Sequence, residues 1–109
     1  MPNFNTVVLV GNLTRDPELR YLPDGTAVGA FSLAYTGRKK SVSYFDVVVF
    51  GKVAENVAKY VTKGRCVLVS GELTQRTWEN PNDGTKRSKI DITAHTVEFL
   101  DRPITENNR

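Results

Sequence analysis

The stretch Ser43-Tyr44-Phe45-Asp46-Val47-Val48-Val49-Phe50-Gly51-Lys52-Val53-Ala54-Glu55-Asn56-Val57-Ala58-Lys59-Tyr60-Val61 changes its period halfway along, and that change decides the fold. Up to Phe50 it reads as a strand. Side chains of a strand alternate between two faces, so Val47 and Val49 share one side while Tyr44, Asp46, Val48 and Phe50 share the other. From Lys52 onward the apolar residues recur every four positions: Val53, Val57 and Val61, with Ala54 and Ala58 beside them. That spacing predicts a helix over 52–61, with Gly64 just beyond it as a C-terminal stop.

Toward the N-terminus, Thr6 to Val10 is a β-branched run ended by the strand-weakening Gly11, and it reads as a strand buried on both faces. Asp16 and Pro17 open a turn, and Glu18 to Leu22 form a short extended piece. Pro23-Asp24-Gly25 combine a preset φ, a local side-chain hydrogen bond and a residue at ease with positive φ. Ala27 to Thr36 reads as the second strand, and the polar linker Gly37-Arg38-Lys39-Lys40-Ser41 joins it to the third, Ser43 to Phe50. Toward the C-terminus, strands at Arg65 to Trp78 and Ser88 to Phe99 flank the hairpin tip Pro81-Asn82-Asp83-Gly84. The order β-β-β-α-β-β predicts an all-β fold: a five-stranded OB-fold barrel with one helix between strands 3 and 4. Such barrels bind oligonucleotides or sugars on the face of strands 2 and 3. The domain spans 1–100, and 101–109 reads as a short polar tail.

A chain of 109 residues holds one domain with a modest core. With 39% apolar and 25% charged residues it has the usage of a folded protein, not of a disordered one. The formal charge of +3 permits a polyanionic partner without demanding one. A single cysteine, Cys66, excludes an intramolecular disulfide, and the chain opens without a secretory signal, so a cytoplasmic location is expected. No apolar run approaches the length needed to span a bilayer, and no membrane partner is expected.

With Val47 and Val49 inside the barrel, Tyr44 and Phe50 point out of it. The fourth strand repeats the arrangement: Val67, Val69, Gly71 and Leu73 form an apolar face, and the opposite face ends in Thr74, Arg76 and Trp78. Tyr44, Phe50 and Trp78 are therefore the candidate rings for stacking nucleobases, which any base can do because every base has a π face. Phosphate contacts fall to Arg20, Arg38, Lys39, Lys40, Arg76, Lys86, Arg87 and Lys89, concentrated in two loops and on the outer face. On their own such cations are the ordinary surface of a soluble domain. Asp46 lies between the proposed rings, where a carboxylate repels phosphate unless a neighbouring cation pairs with it. The doubly apolar first strand suggests that Thr6, Val8 and Val10 meet another subunit, although a turn or the helix could cover that face instead.

Catalysis and cofactors find little support. His95 and Cys66 are single and assemble no zinc site within one chain, and no phosphate-cradling glycine motif occurs. Asp16 with Glu18, and Asp91 with Glu98, have no histidine, metal motif or apolar pocket beside them and read as turn and surface residues. We expect no catalytic residue, no metal and no cofactor.

The segment V-L-V-G-N-L-T-R-D-P-E-L-R-Y, Val8 to Tyr21, closely resembles the opening of bacterial single-stranded DNA-binding proteins. The likeness continues through Pro23 to Val28, Phe31 to Ala34, Val47 to Glu55, Tyr60 to Gly64 and Gly71 to Trp78. It implies a homotetramer of OB-folds that wraps single-stranded DNA during replication, recombination and repair, in the nucleoid. Tyr44 and Trp78 stand where the family commonly carries stacking tryptophans, Phe50 where it carries a stacking phenylalanine, and Arg20 and Arg76 where it carries basic residues. Two departures stand out. The loop Gly37 to Ser43 is shorter than in many members, and the sequence stops at Arg109 without the long linker and acidic tail that recruit protein partners. Two other readings keep the barrel: an RNA or protein scaffold partner, or a sugar-binding or enzymatic module.

Overall fold

The computed structural model describes residues 3–100. The elements, in chain order, are β1 (Val7–Leu13), β2 (Glu18–Tyr21), β3 (Ala27–Thr36), β4 (Val42–Phe50), α1 (Lys52–Tyr60), β5 (Cys66–Glu79) and β6 (Lys86–Phe99). The strands form one sheet in the order β1-β5-β6-β4-β3-β2, and a further pairing of β1 with β3 closes five of them into a ring. β2 hangs on the outside of β3. This is the expected OB-fold barrel, with its helix between β4 and β5.

Alternation supplies the core. Val47 and Val49 of β4, Val67 and Val69 of β5 and Leu33 of β3 are completely buried in the barrel. α1 adds Ala54 and Val57 from one helical face, with Val61 just beyond the last turn. The Pro23-Asp24-Gly25 turn forms as expected: Gly25 adopts φ 94°, and Asp24 Oδ1 accepts the Thr26 amide. The hairpin tip forms as well, closed by the Asn80 amide donating to Thr85 O and the Gly84 amide to Asn80 O.

Two seams of the ring are short. β1 meets β3 through Asn12↔Ala34 and Leu13↔Leu33 alone, and β4 meets β6, in parallel, through Val47↔Ile92 and Val48↔Thr93. The β5–β6 ladder runs from Val67↔Phe99 to Glu79↔Lys86, long enough that its outer half leaves the barrel as a two-stranded arm.

Several expectations need correction. The first strand is not ended by Gly11; it begins at Val7, after Thr6, and continues to Leu13. A Cβ on Gly11 would stand 2.7 Å from the Ala34 carbonyl oxygen, so here the missing side chain permits the close approach that closes the barrel. Nor is β1 buried on both faces of this chain, since Val8 is exposed and Val10 half-buried. Gly64 is not the helix stop: α1 ends at Tyr60, Val61 is already extended, and Gly64 serves the Thr62–Arg65 turn with φ 87°. Leu73 keeps the face of its buried cross-strand partner Ile92 but is itself exposed, because β1 pairs with β5 only as far as Gly71. There the Asn5 side chain imitates a neighbouring strand, donating through Nδ2 to Leu73 O and accepting the Leu73 amide on Oδ1. Asp91, read as a surface residue, is buried at 3% exposure. The tail 101–109 lies outside the described residues.

Candidate nucleic-acid interface

The outer face of β4 carries the two rings that alternation assigned to it. Tyr44 and Phe50 are exposed, and Asp46 and Val48 between them are half-buried. Six residues of strand separate the rings by about 20 Å, so they mark opposite ends of one face.

The β5–β6 register places Arg76 opposite Lys89 and Trp78 opposite Arg87. Cross-strand partners share a face, so one side of the arm presents Arg76, Trp78, Arg87 and Lys89 together. The Arg76 guanidinium carbon lies 5.7 Å from the centre of the Trp78 ring, within cation–π range. Trp78 remains exposed.

Between the arm and β4 lies a groove of about 430 Å³, lined among others by Arg15, Arg20, Phe50, Asp46, Arg76 and Asp91. Thus the structure brings Phe50, Arg20 and Arg76 together in one concavity, with Trp78 beside Arg76. Tyr44 stands apart at the far end of β4, next to the loop that carries Arg38, Lys39 and Lys40. Lys86 and Arg87 lie further out on the arm.

Three cations of this face have carboxylate partners among the described residues, Arg87 meeting Asp83 at 3.8 Å. Lys89 pairs with Asp46, which also accepts a hydrogen bond from Ser32 Oγ. Those two bonds, Lys89 first and Ser32 second, hold the Asp46 carboxyl below its ordinary range despite partial desolvation. Arg76 Nε donates to Asp91 Oδ2 at 2.5 Å. The sequence reading left Asp46's partner open, and the structure identifies it. It missed Arg15, whose adjacency to Asp16 and Pro17 looks like turn chemistry; only the path of the chain from β1 to β2 brings it to the groove wall.

Asp16 ties the β1–β2 connection to the α1–β5 connection, accepting the Lys63 amide on Oδ1, and His95 lies exposed 3.8 Å from Glu72. Among the described residues no group of three or more metal-ligating side chains stands together, and no helix is long and apolar enough to cross a membrane.

A closed five-stranded barrel with an arginine-lined groove and exposed rings on one face defines an OB-fold binding protein. Residues 4–100 match the single-strand binding protein family. A single-stranded DNA-binding protein of Thermotoga maritima is 42% identical over 97% of this chain and 80% of its own length. One from Treponema pallidum is 44% identical over 92% of the chain and 60% of its own, and one from Aquifex aeolicus 43% over 91% and 71%. The chain belongs to the single-strand binding protein family.

Proposed function

We propose that this protein binds single-stranded DNA with little sequence preference and catalyses nothing, protecting unpaired strands in replication, recombination and repair. The observation that carries the reading is the groove that gathers Arg20, Arg76 and Phe50, with Trp78 stacked beside Arg76. Rings on one face with cations around them suit a strand whose bases stack and whose phosphates pair. Tyr44, Phe50 and Trp78 stack. Arg20, Arg38, Lys39, Lys40, Arg76, Lys86 and Arg87 meet phosphates, joined by Arg15, and Lys89 contributes once released from Asp46.

Self-association belongs to the same reading. Val8 is 62% exposed on β1, whose edge from Val7 to Val10 has, among the described residues, no strand paired on the β3 side, and such an apolar edge suits a second copy. We assign a homotetramer, as the family likeness implies, acting in the cytoplasm at the nucleoid.

The test titrates oligothymidine into the protein while following Trp78, its only tryptophan, at low and high salt, with duplex DNA as control. We expect strong quenching by the single strand, weak response to duplex, and a salt slope near −0.7 per phosphate neutralised. No quenching, or equal binding to duplex, overturns the reading. Matched RNA that outcompetes DNA would favour the RNA alternative.

A further inference from the structure

We propose that Asp91, which touches no DNA, positions Arg76 and through it Trp78 for binding; this rests on the single-strand reading above. Asp91 is 3% exposed, and Arg76 Nε donates to its Oδ2 at 2.5 Å. Its Oδ1 is buried and, among the described residues, has no hydrogen-bond partner; Lys89 Nζ lies 4.0 Å away. A buried carboxylate oxygen left without a hydrogen bond costs stability, and an apolar side chain of similar size would remove that cost. The pair is therefore a poor device for folding and a good one for orientation.

The geometry gives the orientation its use. Arg76 is held by Nε, one of five donors, which leaves the Nη donors of a rigid planar fork uncommitted to Asp91. The side chain is 55% exposed and lines the groove, while its guanidinium carbon stays 5.7 Å from the Trp78 ring centre. One buried oxygen thus fixes a phosphate-binding fork and braces the indole beside it. Preorganisation of this kind lowers the ordering cost of binding.

Charge counting and positioning predict opposite signs. Removing Asp91 adds one positive charge to the groove, which by electrostatics alone tightens DNA binding. Positioning says that binding weakens.

The experiment titrates oligothymidine into the native chain, Asp91→Leu, Asp91→Asn and Arg76→Lys while following Trp78 emission, with thermal unfolding of each. Asp91→Leu is expected to fold, to shift the Trp78 emission spectrum before any DNA is added, and to bind about tenfold more weakly, the size of one lost charged hydrogen bond. Asp91→Asn is expected to restore most of the affinity, because its amide oxygen still accepts from Nε. Arg76→Lys keeps the charge but lacks the fork, and is expected to lose about as much as Asp91→Leu. Native or tighter binding by Asp91→Leu overturns the inference alone, as does an Asp91→Asn variant no better than it. If Asp91→Leu fails to fold, native affinity in Arg76→Lys overturns it. Absence of quenching in the native chain overturns the single-strand reading, and this inference falls with it.

Discussion

Lys40 adopts φ 64°, in the left-handed region, inside a turn where the Lys40 amide donates to Gly37 O. A Cβ-bearing residue there costs about 1–2 kcal/mol, and glycine would relieve it at some expense in unfolded-state entropy. Lys40→Gly is therefore expected to stabilise the protein by about 1 kcal/mol, read as a rise in Tm. The same variant should flatten the salt dependence of oligothymidine binding by about 0.7, if Lys40 meets one phosphate. Asp46 tests a different link. Its carboxyl titrates lower in the folded protein than the ordinary value of 3.8, because Lys89 and Ser32 bond to the charged form. A group depressed in this way adds stability above its unfolded value, and loses it as pH falls through the folded one. Asp46→Asn should thus unfold at lower urea than the native chain near neutral pH, and the gap should close below 3.8. A gap that persists in acid would assign the loss to packing.

At the scale of elements, β1 depends on one absent side chain. Gly11→Ala drives a Cβ against the Ala34 backbone, which cannot swing aside as a side chain could, and should cost about 2–3 kcal/mol in denaturant unfolding. That position also shows where sequence reading stops. Gly11 looks like a strand terminator from local propensity, and only the return of β3 beside β1 reveals it as a crossing point. Alternation in β4 was legible from Asp46 onward, where Val47 and Val49 are buried, whereas Val42 to Phe45 are exposed on both faces. The same rule failed at Leu73, where the pattern continues but the core does not. Periodicity reports which face a side chain takes, not whether anything lies opposite. α1 was legible for the complementary reason: its apolar stripe and its burial coincide.

For the molecule as a whole, the rings and loop cations of the candidate interface could be read from the sequence, since each needs only alternation or a loop to be exposed. Asp91 and Arg15 could not. Their positions arise from pieces of chain far apart in sequence: Arg15 reaches the groove from the β1–β2 connection, and Asp91 is buried next to the pairing of β6 with β4. The two short seams divide the barrel unequally. β2, β3 and β4 make one leaf, β1, β5 and β6 the other, and little backbone bonding joins them. Arg20 and Phe50 belong to the first leaf, and Arg76 and Trp78 to the second. A strand of DNA lying along the groove would cross that division and act as a splint. Amide hydrogen exchange at Val47, Val48, Ile92 and Thr93 should then slow on adding oligothymidine, while the middle of the β5–β6 ladder changes little. In that case the ligand is also a missing structural member, and the free protein is a hinge waiting to be bridged.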